Sequence, residues 1–322
     1  MRFAFLACLG IAAGCGGKVV VDAASGSGGA GGAPSTSVAS SSSAASSGTP
    51  VLIGSNPAGT DFLAVDETHA YWTSSAGGVV ERVALSGAGP QEEIASGQDS
   101  PAGIALDASN VYWADQGFGT IMSTPKSGSF GIVELASLQQ GPFSVAVDAT
   151  DVYWVSWDVH AIRKAAIVGS PVQLVTKANI PRFLAVDADH VYWDDEPDLR
   201  RALKDGSAPE TIAVKVFASG FTVDATHVYF ASEEQGQVAR LEKGGGPIAT
   251  IASGGRPHWV AVDGTHVYWT DHEAGTVSRA PLAGGTVETL ASGLGGPKLI
   301  AVNAAYVVWN QDEGGAIMRL PK

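Results

Sequence analysis

Seven times along this chain an eleven-residue phrase returns, and its most regular copy reads AVDGTHVYWTD over residues 261–271. A short apolar run ends in an aspartate, a polar tripeptide follows, and a second β-rich run carries Tyr-Trp. The other copies are AVDETHAYWTS, ALDASNVYWAD, AVDATDVYWVS, AVDADHVYWDD, TVDATHVYFAS and AVNAAYVVWNQ. The marker residues are Asp66, Asp107, Asp148, Asp187, Asp224 and Asp263, with Asn303 in the seventh place, so successive markers stand 41, 41, 39, 37, 39 and 40 residues apart. A period of about 40 residues in a strand-rich sequence denotes an array of supersecondary units that bury their apolar faces against one another.

One unit reads as four strands. In the sixth copy they are predicted over residues 259–263, 267–270, 276–282 and 287–291, separated by Gly275, Gly284 and Gly285. β-Branched and aromatic runs broken by Gly, Pro and Asp at this density are antiparallel strands joined by tight turns. Four such strands in about 40 residues make one propeller blade. The fold class is therefore all-β, a seven-bladed β-propeller of four-stranded antiparallel blades. Two residues before the markers stand Ala64, Ala105, Ala146, Ala185, Thr222, Ala261 and Ala301, small side chains suited to the crowded axis. An Asp before a turn accepts hydrogen bonds from backbone two residues on, which gives the markers a structural task. The Tyr-Trp pairs supply apolar area between blades.

The last copy ends at Lys322 without a fourth strand, while VLIGS at residues 51–55 precedes the first copy. From Ser55 to Asp66 is 11 residues, as from Ser96 to Asp107 and from Ser292 to Asn303. The segment around Val51 is thus predicted to complete the last blade, which removes two exposed sheet edges.

The VYWTD of residues 267–271 resembles the YWTD repeat of low-density-lipoprotein-receptor-type β-propellers, with looser copies at Tyr71-Trp72-Thr73, Tyr112-Trp113-Ala114-Asp115 and Tyr192-Trp193-Asp194-Asp195. That family has six blades, so six is the alternative to the seven repeats counted here. The resemblance implies a noncatalytic recognition module that binds a protein or glycan.

Outside the repeats, residues 1–14 read as a secretory signal, with Arg2 as its charged region and an apolar stretch too short to span a bilayer. Ala12-Ala13-Gly14 before Cys15 resembles the lipobox of bacterial lipoproteins, which implies lipid attachment at Cys15 and, with Gly16 following, an outer-membrane or cell-surface location. Residues 15–48 are almost wholly Gly, Ser and Ala, a composition with no apolar periodicity, and are expected to be a flexible tether to a propeller of residues 49–322. Gly26, Gly28 and Gly31 match GxGxxG only formally, because no helix can start in the Ser-rich run beyond them. A net charge of −13 argues against a nucleic-acid partner, which needs a cationic face. No cofactor or metal is expected, and the propeller is expected to be a monomer. Its two cysteines, Cys8 and Cys15, both lie before the repeats, so the propeller contains no disulfide.

The loops entering the first strand and leaving the second emerge on one face of the ring. Five residues before the markers come Asp61, Ala102, Phe143, Arg182, Ser219, His258 and Lys298, predicted to ring the channel mouth. The loops beside them carry 12 of the 32 acidic residues, among them Asp115, Asp194, Asp195, Glu233, Asp271 and Glu273. An acidic collar of this kind is a candidate ligand face, represented by Asp61, Phe143, Arg182, His258, Lys298, Asp271 and Glu273. The bland reading is that loop acids are solvated. His69, His190, His227 and His266 each stand three residues after a marker and read as turn elements, whereas His160, His258 and His272 are off-pattern. No HExxH, GxSxG or P-loop spacing is present, so no catalytic residue is assigned and a noncatalytic module is expected. The rival reading is a lyase or lactonase acting at His258, Lys298 and Asp61.

Overall fold

The computed structural model describes residues 48–128 and 131–322. They form seven four-stranded antiparallel sheets, and in six of these the strands follow one another in chain order from the axis outward. The sixth blade runs Pro257–Val262, His266–Asp271, Thr276–Pro281 and Glu288–Ala291, within two residues of the predicted bounds. Its second strand is buried at every residue after His266, because neighbouring blades cover both faces of the pleat. Tyr268 and Trp269, on opposite faces, therefore pack against different blades.

The seventh blade consists of Pro297–Val302, Tyr306–Gln311 and Ala316–Pro321, and Val51–Ser55 supplies its outer strand. Val51 lies opposite Arg319 and Ser55 opposite Ala316, with one bulge between Leu52 and Gly54. Across the seam the Asn310 side chain donates to the Thr60 carbonyl at 2.9 Å, and that of Asn303 to the Asp66 carbonyl at 2.8 Å. The ring therefore has seven blades, not six. Cys8, Cys15, the signal and nearly all of the tether fall outside the described residues.

Each marker aspartate holds the turn between first and second strands. One carboxylate oxygen of Asp263 accepts the Thr265 and His266 amides at 2.8 and 2.9 Å; the other accepts the Tyr268 hydroxyl at 2.8 Å. The same arrangement recurs at Asp66, Asp107, Asp148, Asp187 and Asp224. The Tyr of the Tyr-Trp pair is thus a hydrogen-bonding partner as well as apolar mass. In the seventh blade Val308 replaces it, and Asn303 replaces Asp, so its second polar atom donates across the seam instead. The small residue two before each marker aspartate lies directly opposite the Tyr, as Ala64 does to Tyr71 and Ala261 to Tyr268, where it leaves room for the ring.

A lysine from the next blade completes four of these turns: Lys126 on Asp66 at 3.1 Å, Lys204 on Asp148 at 2.6 Å, Lys243 on Asp187 at 2.8 Å and Lys322 on Asp263 at 2.7 Å. Burial by itself raises these carboxyls, yet the amide donors and the lysines overcome it and bring Asp66 and Asp187 down to about 2. The equivalent residue facing Asn303 is Leu85, so no cation meets the one neutral marker.

The axis departs from the expectation of small side chains. Phe62, Phe143, Phe183 and Trp259 meet there, with ring centroids 5.3 Å apart for Phe62–Phe143, 6.1 Å for Phe143–Phe183 and 5.1 Å for Phe183–Trp259. Gly220 makes this possible, since a Cβ at that position would run into the Trp259 ring. An aromatic row therefore crosses the first strands of the first, third, fourth and sixth blades.

Candidate functional site at the channel mouth

His258 enters the mouth at the start of the sixth blade's first strand. The pairing register slips between Pro257 and Trp259, which leaves His258 at a bulge. Bulges re-aim side chains, and this one turns the imidazole toward the fifth blade. There the His258 Nδ1 meets the Glu233 carboxylate, which leads the loop after the second strand His227–Ser232. Burial acts to raise the Glu233 carboxyl, but the His258 hydrogen bond and the nearby Arg256 charge hold it below the usual glutamate range. Glu233 is therefore a carboxylate set against the Nδ1 side of the ring, and Nε2 points away from it. The ring is only 3% exposed, and Nε2 has no hydrogen-bond partner among the described residues. A buried imidazole nitrogen without a partner is costly unless a ligand or reacting group completes it.

Around this pair lies a cavity of about 360 Å³, walled by Arg182, Phe183, Glu196, Ser219, Glu233 and His258. Arg182 is held rigidly: its Nε donates to Asp194 at 2.9 Å, its Nη2 to the Ala218 carbonyl at 2.9 Å, and its Nη1 lies 3.5 Å from Glu196. Complete burial raises the Asp194 carboxyl to about 6 despite the Arg182 charge beside it. Arg256, on the rim, bridges Glu233 at 3.3 Å and Glu273 at 3.4 Å. On the other flank the His272 ring lies 6.2 Å from that of His258, and its Nε2 is 2.7 Å from Asp312, which also takes Lys298 at 2.5 Å. A charged chain thus runs across the fifth, sixth and seventh blades.

The structure brings Arg182, Ser219 and His258 together at one cavity and leaves the other mouth residues in different settings. Asp61 accepts the Ser75 amide at 2.6 Å and holds its own loop. Phe143 belongs to the axial aromatic cluster. Lys298 reaches the site only through Asp312. Asp271 is 6% exposed and accepts the Arg256 and Ala274 amides, while Glu273 is exposed on the rim. Asp115 and Asp195 are turned inward in the same way as Asp271, onto the amides of Asp99 and of Asn179 and Ile180. Much of the acidic collar is accordingly loop architecture. The on-pattern histidines sit on the opposite face, where His69, His227 and His266 pair with the threonine before them. Among the described residues no group of three or more His, Cys, Asp or Glu is placed to hold a metal ion.

Sequence reasoning did not single out Glu233 and Asp312 from the other loop acids, and it passed over Arg256. Glu233, His272 and Asp312 share one register, nine residues after their markers, so alignment of the repeats on that position would have collected them.

No protein-family model matches the chain, and no curated protein matches it. Among solved structures it is similar to a streptogramin B lyase, with a TM-score of 0.71 and 15% identity over 84% of this chain and 97% of that one. It is similar to a catalytically inactive His-to-Ala variant of virginiamycin B lyase from Staphylococcus aureus with quinupristin, with a TM-score of 0.70 and 14% identity over 85% of this chain and 98% of that one. A chain of a nidogen/laminin complex matches with a TM-score of 0.54 and 18% identity over 64% of this chain and 87% of that one. Identities this low establish a shared fold and nothing finer. They do correct the expectation of a noncatalytic module, drawn from the YWTD resemblance and the absence of catalytic motifs: lyases share this architecture at higher TM-scores than the nidogen/laminin chain does. The chain is a seven-bladed propeller of a fold that serves enzymes and binding modules alike.

Proposed function

We propose that the mouth is an acid–base site of lyase type acting on a small organic ligand, with His258 as the proton acceptor. The observation that carries this reading is the buried, unpartnered Nε2 of His258, whose other nitrogen is tied to Glu233. A histidine oriented by a carboxylate is the usual arrangement of a general base. Nε2 would take a proton from a carbon beside a carbonyl. The C–H electrons then form a double bond as the neighbouring C–O bond breaks, and the leaving oxygen departs with its pair. Arg182, fixed by Asp194 and the Ala218 carbonyl, is placed to meet the charge that develops on the carbonyl oxygen. Glu233 would stabilise the imidazolium until its proton passes to solvent.

The test is a panel of lactones, cyclic esters and linear esters bearing a β-oxygen leaving group, followed by mass spectrometry. Ring opening by elimination leaves the mass unchanged, whereas hydrolysis adds one water. His258→Gln is expected to reduce turnover by about 10²–10⁴-fold, with an unchanged melting temperature. Turnover that survives His258→Gln, or no turnover of any member, would refute the assignment.

We also propose that Cys15 carries a lipid that holds the propeller at the cell envelope, as its lipobox-like context implies. Cys15→Ser should release the protein from the membrane fraction, and continued association would count against the anchor.

A further inference from the structure

The seven blades allow each mouth position to be compared with six equivalents that share its fold but not its residue. Nine residues after the markers stand Ser75, Gln116, Glu196, Glu233, His272 and Asp312, all polar, and in the third blade Trp157. Trp157 is 37% exposed. Ten residues before the marker, Gly97 and Gly293 adopt left-handed backbone with φ of 66° and 69°, and in the third blade Leu138 adopts it with φ of 57°. A leucine there carries backbone strain that glycine avoids, and its side chain is 93% exposed, so the fold gains nothing from it. Phe118, 61% exposed, occupies a loop position held elsewhere by Gly77, Gln235, Ala274 and Gly314.

The loops that carry these three residues are tied to one another through their backbones. The Gln139 amide donates to the Gly119 carbonyl at 2.8 Å, tying the Leu138 loop to that of Phe118, and the Trp157 amide donates to Gly141 at 2.8 Å. The Trp157 ring stands edge-on to Phe143 at 5.2 Å, Phe143 contacts Phe183 at 6.1 Å, and Phe183 walls the His258 cavity beneath the Arg182 guanidinium. An unbroken aromatic path therefore joins Trp157 to the wall of the His258 cavity. The exposed apolar side chains of the mouth lie on the second and third blades, beside Asp99, Gln116 and Asp158, whereas the fifth to seventh blades carry the linked ion pairs.

We infer that Trp157, Leu138 and Phe118 form a subsite for the aryl or alkyl limb of an amphipathic ligand whose polar group sits at Arg182 and His258. This rests on the acid–base reading for the polar end and on the comparison of equivalent positions for the apolar end. Exposed aromatic and aliphatic side chains at a cavity rim desolvate such a limb, and a leucine kept in strained backbone is the mark of a residue retained for binding.

The experiment is a fluorescence titration with anilinonaphthalene sulfonate, a probe that has both an aryl body and an anionic group. The wild-type chain is expected to bind it at the mouth, and Trp157→Gln to weaken binding about tenfold, the scale of losing one aromatic contact. Leu138→Gly should weaken binding while raising the melting temperature, a pair of opposite signs that a purely structural residue would not produce. Val168→Ser, a change at an exposed valine on the opposite face, should leave the titration unaltered. Equal affinity of the Trp157 and Leu138 variants with wild type would overturn the subsite. So would sedimentation showing that they abolish self-association of the chain instead of probe binding. If Arg182→Gln and His258→Gln leave probe affinity unchanged while the Trp157 and Leu138 variants lower it, the acid–base reading fails and the apolar subsite stands.

Discussion

The two faces of the ring are built from the same strands and have opposite sequence statistics. On the face of the marker turns, six copies repeat one device of Asp, two backbone amides and Tyr, and four add a lysine from the next blade. On the mouth face no two blades present the same set. Since every blade has the same four-stranded frame, the regular face carries the interactions that the fold needs, and the irregular face is free to vary. The third blade's apolar mouth residues and the sixth blade's histidines are informative because the fold does without them elsewhere.

The largest expected effect belongs to the regular face. Asp263→Ala removes two amide acceptors, the Tyr268 partner and the Lys322 ion pair, and should cost about 2–3 kcal/mol. That corresponds to a fall in melting temperature of roughly 5–10 °C by circular dichroism. Glu273→Gln on the mouth rim should leave the melt within about 0.5 kcal/mol of wild type. Equal destabilisation by both would break the contrast.

The pH dependence of stability should have opposite signs on the two faces. Asp66 and Asp187 are lowered to about 2 in the fold, so their contribution is present above about pH 4 and is lost as the pH falls toward 2, about 1–2 kcal/mol each. Asp194 is raised to about 6, so its carboxylate opposes folding at neutral pH, and stability rises as the pH falls from about 6 to 4. Urea midpoints between pH 7 and 2 should rise and then fall, and in Asp194→Asn the rise should be missing. A monotonic loss in both proteins would refute the assignment.

The smallest effect tests the seam. Asn303→Asp restores the repeat, yet Val308 offers no hydroxyl, Leu85 offers no cation, and the donation to the Asp66 carbonyl is lost. It should destabilise by about 1 kcal/mol, whereas a neutral or stabilising result would show that the side-chain switch is incidental.

Blade number, strand bounds and closure by Val51–Ser55 were legible because each is a local pattern repeated seven times, so that noise in one copy is averaged by the others. The turn function of the marker aspartates was legible for the same reason. Their tyrosine partners were not, because period-two alternation shows on which face of the pleat Tyr268 lies but not that its hydroxyl reaches back to Asp263.

The sequence by itself determined seven repeats of four strands and a ring closed by the segment around Val51, since stacked units of this kind bury their aromatic rows against one another, and the structure decided for seven blades over six. Only the tertiary structure decided that His258 faces Glu233, that Asp271 turns inward onto the Arg256 amide, and that the Trp157 amide meets the Gly141 carbonyl. Those contacts join residues 25, 15 and 16 positions apart, and the His258–Glu233 pair also depends on a bulge and on how adjacent blades lean together. Interblade packing follows from the shape of buried side chains, which leaves no periodic trace in the chain.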